Sequence, residues 1–236
     1  MNYTTLFFDA DNTLLDFTAT ETEALQHTFK LHGFTFEGEL KKRYHEINGH
    51  LWRAYENGMC SREEVVNTRF VKLFHEFDIS LDGVQFEQIY QSELGKSHIL
   101  MKDALEVIDT LAKKFDLYIV TNGVTATQYS RLRDSGLRPY FKDVFVSDEI
   151  GYRKPMKEYF DYCLSKIEHV KKEEILLIGD SLSSDIVGGT QYGIDTCWMN
   201  PKGNKNIKNL PIRYEIQELK QLYQILDVEN DDSMVY

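Results

Sequence analysis

The stretch Thr5-Leu6-Phe7-Phe8-Asp9-Ala10-Asp11-Asn12-Thr13-Leu14 decides how the rest of the chain is read. Residues 5–9 form a short apolar run that breaks into two carboxylates and a turn-forming asparagine. A continuous apolar run bounded in this way reads as a strand buried on both faces, with the acids at its carboxyl end. Four further runs of the same kind follow at 116–121, 144–147, 175–180 and 195–199. Two of them end as the first does. Ile119-Val120 leads into Thr121-Asn122-Gly123, and Leu177-Ile178-Gly179 leads into Asp180-Ser181, with Asp185 following. Helical spacing occupies the intervals 102–114, 125–135, 157–167 and 184–192. Strand and helix in alternation predict an α/β fold, a Rossmann-like parallel sheet with helices on both faces.

One interval breaks the alternation. Between about residues 16 and 100 no buried strand is legible, and four helices are predicted at 20–31, 37–56, 61–77 and 84–95. Turn signals at Gly33, Asn57-Gly58 and Asp82-Gly83 separate them. The expected organisation is a core of residues 1–15 and 101–236 carrying an inserted all-helical domain, 16–100. The acidic tail 229–236 is expected to fray.

Parallel strands bring their carboxyl ends to one edge, which is where open α/β sheets bind ligands. Singly, Asp-x-Asp, Thr-Asn-Gly and Gly-Asp-Ser are turn or capping signals. Together they place Asp9, Asp11, Asp180 and Asp185 at one edge, and carboxylates so close repel unless compensated. A hard divalent cation such as Mg²⁺, bound by oxygens, meets that need. Lys154, in Tyr152-Arg153-Lys154-Pro155, is the candidate for further positive charge.

The elements Asp9-Ala10-Asp11-Asn12-Thr13-Leu14, Thr121-Asn122-Gly123, Lys154-Pro155 and Gly179-Asp180-Ser181-Leu182-Ser183-Ser184-Asp185 resemble, in this order, the four motifs of the haloacid dehalogenase-like hydrolase superfamily. The helical insert resembles that family's type I cap. Further stretches resemble the YjjG/YfnB-type 5′-nucleotidases. These are Thr121-Asn122-Gly123-Val124-Thr125, Arg131-Leu132-Arg133-Asp134-Ser135-Gly136-Leu137, Gly188-Gly189 and Thr196-Cys197-Trp198-Met199-Asn200-Pro201.

The resemblance implies an enzyme: an Mg²⁺-dependent phosphomonoester hydrolase acting on a small phosphorylated metabolite, with pyrimidine nucleoside 5′-monophosphates favoured. It implies Asp9 as the nucleophile that takes the phosphoryl group and Asp11 as acid, then base. Thr121 and the Asn122 backbone would hold phosphate oxygens, and Lys154 would bridge Asp9 and phosphate. The Asp9 side chain, the Asp11 carbonyl and Asp180 would bind the metal, Asp185 would orient a metal-bound water or Lys154, and Thr13 would brace the loop. Asp11 favours phosphoryl transfer over dehalogenation, because the resembling dehalogenases lack this second aspartate. A sugar phosphatase or a phosphomutase of the same fold, and a non-catalytic binding module, are the alternatives.

Composition bounds the partners. Lys+Arg is 27 and Asp+Glu is 38, so the net charge is −11. That balance argues against a nucleic-acid polymer as ligand, since such affinity rests on cationic side chains meeting phosphates. No apolar run approaches the ~20 residues that span a bilayer. Cys60, Cys163 and Cys197 are too scattered for a metal site or a disulfide framework, and a cytoplasmic location is expected. The histidines show no metal spacing and read as solvated or core residues. Trp52 and Tyr55 read as core of the insert, with stacking on a base as the alternative. Gly188-Gly189 reads as a point of close helix–sheet packing.

Overall fold

The computed structural model describes residues 3–206 and 209–229. The chain divides into two compact units, Met1–Phe17 with His98–Tyr236, and Thr18–Ser97. The expected boundaries lay at 15/16 and 100/101. The difference has a local cause. Leu15 pairs with Leu100 in an antiparallel bridge, Asp16 N–H donates to Ile99 O (2.8 Å), and Met101 N–H donates to Leu14 O (2.8 Å). The two chain crossings are thereby tied into the first unit.

The first strand, β1 (Thr5–Phe8), is buried along its whole length. Four helices follow: α1 (Phe17–Leu31), α2 (Gly38–Glu56), α3 (Arg62–Glu76) and α4 (Gly83–Lys96). Ser61 and Glu64 form a reciprocal capping box at the start of α3, and Asp82 caps α4 through the N–H groups of Val84 and Gln85. Packing in this unit is strongly aromatic. Phe29 stacks on Phe36 with centroids 4.9 Å apart, and Phe70 lies 4.7 Å from Phe86 and 5.3 Å from Tyr44. Gly83 lets α4 approach α3, because a Cβ there would lie 2.5 Å from the Val71 backbone nitrogen. Tyr55 is buried, whereas Trp52 is only partly so.

The remainder of the chain supplies α5 (Ala104–Ala112), β2 (Asp116–Thr121), α6 (Thr125–Asp134), β3 (Asp143–Val146), α7 (Ser147–Ile150), α8 (Lys157–Ser165), β4 (Ile175–Gly179), α9 (Val187–Tyr192), β5 (Asp195–Met199), β6 (Tyr214–Ile216) and α10 (Gln221–Leu226). Among the described residues, six strands form one sheet in the order β3-β2-β1-β4-β5-β6, and every adjacent pair is parallel. Successive side chains point to opposite faces. Leu6 and Phe8 pack with Ile108, Leu111 and Leu222 on one face, whereas Phe7 packs with Tyr159, Phe160 and Cys163 on the other. Helices therefore cover both faces of a parallel sheet.

The differences from expectation are local. Ser147 begins α7 rather than ending a strand. The helix expected over 184–192 opens as a π-helical turn, Leu182–Ile186, before α9. Ile186 N–H reaches back five residues to Ser181 O (3.1 Å). The strand β6 and helix α10 were not expected; at three and six residues they are too short to establish a period. Of the tail 229–236, all but Glu229 lies outside the described residues. Gly189 lets α9 approach the sheet, since a Cβ there would lie 2.5 Å from Thr196 and 3.0 Å from Leu177.

Candidate active site

The register fixes where the acids meet. Phe8 is aligned with Ile119 on one side and with Ile178 on the other. Asp9 therefore emerges between Val120 and Gly179. The order of strands reverses between β1 and β4, and such a switch point opens a crevice at the carboxyl edge. Asp9 N–H still donates to Ile178 O (2.8 Å). Beyond it the chain turns sharply. Ala10 O accepts from the N–H groups of Leu14 (3.0 Å) and Leu15 (2.9 Å), and Asn12 sits at φ +58°, a region asparagine tolerates. The Thr13 hydroxyl makes a long contact to Asp9 Oδ2 at 3.5 Å.

Lys154 lies at the centre, with 1% of its surface exposed. Its Nζ donates to Asp9 Oδ1 (2.7 Å), Asp185 Oδ1 (2.6 Å) and Val120 O (2.6 Å). An ammonium has three protons, and all three are used. Its backbone is clamped reciprocally. Lys154 N–H donates to Asn122 Oδ1 (3.0 Å), and Asn122 Nδ2 donates to Lys154 O (2.9 Å). The Asn122 side chain is thus committed to holding Lys154, which leaves its backbone for other contacts. Thr121 Oγ1 accepts from Gly123 N–H (3.3 Å) and from Gln128 Nε2 (3.1 Å).

Asp185 is fully buried and reaches back toward the end of β4, where its Oδ2 accepts from Ser181 N–H (3.1 Å). The π-helical turn brings it there. Asp180 O accepts from Trp198 Nε1 (2.8 Å), which fixes the main chain that carries the Asp180 carboxylate.

One carboxylate oxygen from each of Asp9, Asp180 and Asp185 lies within 4.8 Å of the others. Burial pushes the Asp9 carboxyl up to about 7; Lys154 opposes this, while Asp185 and Asp11 add to it. Burial likewise pushes Asp180 well above the usual carboxylate range, with Asp9 and Asp185 adding to it. For Lys154, burial disfavours the ammonium, but Asp185 and Asp9 outweigh it and its pKa is raised. Three carboxylates face one ammonium, so two negative charges are uncompensated once all three acids are ionised. A dication with hard oxygen ligands fits that deficit, and Mg²⁺ is the small member of the class. The Asp11 carboxylate stands outside this cluster. It is held instead by Gln128 and Arg131 on α6. Neither was assigned a role from sequence, although their spacing of three within one helical segment is a legible signal for a shared face.

A description of haloacid dehalogenase-like hydrolases matches residues 3–193, most of the chain. The chain belongs to this family. It is 50% identical over 228 residues to a Bacillus subtilis (strain 168) protein named as the HAD-hydrolase YfnB, covering 97% of each chain. It is 40% identical to the pyrimidine 5′-nucleotidase PynA of Streptococcus pneumoniae, over 96% of each. With the pyrimidine 5′-nucleotidase YjjG of Escherichia coli it shares 29% identity, over 96% of this chain and 99% of that one. A crystal structure of Bacillus subtilis YfnB bound to magnesium superposes with a TM-score of 0.92 at 49% identity, covering 97% of this chain and all of that one. The chain is thus a hydrolase of this family. Among its described residues, no helix is long and apolar enough to cross a membrane.

Proposed function

We propose that the chain is an Mg²⁺-dependent phosphomonoesterase that works through a phospho-Asp9 intermediate, and that it is a 5′-nucleotidase acting on pyrimidine nucleoside monophosphates. The observation that carries this reading is Lys154 sharing its protons between Asp9 and Asp185 beside Asp180, with Asp11 two residues from Asp9. Asp9 attacks phosphorus and the bond to the leaving oxygen breaks, with Asp11 delivering a proton to that oxygen. Asp11 then takes a proton from water, whose oxygen attacks phosphorus as the Asp9–phosphorus bond breaks. Two displacements replace one difficult step, and a neighbouring carboxyl serves as acid and then as base. Lys154 holds Asp9 in place and lowers the repulsion between it and the substrate dianion. Thr121 and the Asn122 backbone are assigned to the phosphate oxygens. Asp9, Asp180 and the Asp11 carbonyl are assigned to Mg²⁺, with Asp185 behind them; the ion would supply charge neutralisation for the phosphoryl group.

The nucleotide assignment leans on the two pyrimidine 5′-nucleotidases that match almost end to end. The helical unit is assigned as the cap-type insert that sets selectivity. A cytoplasmic location accords with the buried thiols Cys163 and Cys197. The experiment is a panel of pyrimidine and purine nucleoside monophosphates and sugar phosphates, assayed for free phosphate with Mg²⁺ and with EDTA. Wild type should release phosphate from the pyrimidine nucleotides in Mg²⁺ alone, and folded Asp9→Asn should release none. Turnover by Asp9→Asn would sink the mechanism; preference for sugar phosphates, or an isomerised product, would sink the substrate assignment.

A further inference from the structure

The mechanism above leaves two buried polar side chains on α6 unused. Arg131 is fully buried, and among the described residues only one of its nitrogens has a hydrogen-bond partner: Nη1 donates to Asp11 Oδ1 at 2.5 Å. Its Nε and Nη2 are buried without partners among the described residues, and the guanidinium carbon lies 5.4 Å from the centre of the Phe17 ring. Gln128, 2% exposed, donates through Nε2 to Asp11 Oδ2 (2.5 Å) and to Thr121 Oγ1 (3.1 Å), while its Oε1 has no partner among the described residues. Each oxygen of Asp11 is thus held by a different donor. Asp11 and Thr121, two groups assigned to the reacting phosphate, share the amide of Gln128.

The donors are themselves fixed. The start of α6 is held by Asp148 Oδ2, which accepts from Thr125 N–H (3.2 Å) and Thr125 Oγ1 (3.0 Å). Gly123 has no room for a Cβ, because Gln128 fills the space, with its Cγ 2.6 Å from the Cβ position. Buried polar atoms are normally satisfied, and each exception calls for an explanation. A guanidinium that spends one nitrogen and buries two others unpaired is a poor device for stability, since an apolar side chain of similar length would leave no orphaned donors. What it does achieve is a fixed direction for the Asp11 carboxylate.

We infer that Arg131, assisted by Gln128, is a positioning residue that aims the Asp11 carboxylate for its two proton transfers. This rests on the reading of Asp11 as the acid and base. A group that orients another acts on kcat and adds nothing once its client is gone. The single contact made by Arg131 also sets the rescue. A lysine ammonium can supply one donor, so here, unlike at a bidentate site, lysine should replace arginine.

The test is steady-state hydrolysis of p-nitrophenyl phosphate in Mg²⁺, with melting curves for each variant. Arg131→Met should lose about 10-fold or more in kcat, the scale of an impaired acid–base group, with KM within about 2-fold. Arg131→Lys should recover kcat to within about 3-fold of wild type. On an Asp11→Asn background, Arg131→Met should cause no further loss. The inference is overturned if Arg131→Met keeps its kcat, if lysine is no better than methionine, or if the losses multiply with Asp11→Asn. Should Arg131→Met fail to fold, Gln128→Met removes the donor to the other oxygen and should show the same loss and the same non-additivity; wild-type kcat there overturns the inference. An inactive wild type refutes the proposed function, whereas an active wild type with indifferent Arg131 variants refutes the positioning role alone.

Discussion

Gly179 and Asp185 compete for the same space. A Cβ on Gly179 would overlap the Asp185 carboxyl group and lie 2.7 Å from the Asp185 Cβ. The glycine is required by close approach rather than by an unusual backbone angle. Asp185 folds back over the end of β4 to reach Ser181 N–H and Lys154 Nζ, and it passes where a side chain at 179 would stand. Gly179→Ala should therefore displace Asp185 and weaken the hold on Lys154. Overpacking of this kind costs about 1–3 kcal/mol. Urea unfolding and an Mg²⁺ titration of phosphatase activity check it. The expected result is lower stability, a lower kcat and a higher Mg²⁺ half-saturation; an unchanged titration would show that Asp185 has found another route.

Lys154 is the sole cation donating to Asp9 or Asp185 among the described residues. Lys154→Met leaves two buried carboxylates without their counter-charge. Breaking a buried ion pair on one side costs roughly 3–5 kcal/mol. That destabilisation should appear in EDTA and shrink in Mg²⁺, because a bound ligand stabilises the folded state that holds it. Chemical denaturation in the two buffers measures it. Equal losses in both would mean that the acids do not share a cation site.

Much of the core was legible because its strands are buried on both faces. Residues such as Phe7, Phe8, Leu177 and Ile178 give continuous apolar runs, and the acids follow at once. The parallel register then carries Asp9, Thr121 and Asp180 to one edge with no further information needed. The π-helical turn was not legible, because it depends on Asp185 bonding back to Ser181 N–H, a contact that spacing does not reveal. Neither was the grip on Asp11. Gln128 and Arg131 look like ordinary polar positions on a helix, and their burial follows from how α6 packs against the loop after β1. In the helical unit, hydropathy located the helices, but it gives no sign that the charged residues Arg69 and Glu87 are buried.

That buried pair gives a stability prediction remote from the chemistry. Arg69 donates to both oxygens of Glu87 (2.7 and 2.6 Å) and to Asn48 Oδ1 (3.0 Å), and Asn48 donates onward to Glu21 Oε1 (3.1 Å). Its guanidinium also lies 4.8 Å from the Tyr90 ring centre. Arg69→Met strands a buried carboxylate and should cost about 3–5 kcal/mol, whereas Arg69→Met with Glu87→Met should restore most of it. A double-mutant cycle by urea denaturation gives the coupling directly. Additive losses would show that the pair contributes nothing as a pair.

The carboxylate cluster sets a pH dependence whose sign is opposite to that of an ordinary ion-paired aspartate. Burial places the Asp9 carboxyl at about 7, against 3.8 when unperturbed. Between those values the folded protein holds a proton that the unfolded chain has released. In the absence of metal its stability should therefore fall as pH rises through this window. Asp180, raised for the same reasons, adds to the effect with the same sign. A dication binds the ionised carboxylates and competes with their protons. The gain in melting temperature on adding Mg²⁺ should thus be larger at about pH 8 than at about pH 5.5. Asp9→Asn, which carries no titrating proton, should flatten the dependence measured in EDTA. Scanning fluorimetry across that range with Mg²⁺ and with EDTA decides it: a gain equal at both ends would mean that the acids are already ionised without the metal, and that Lys154 alone compensates their charge.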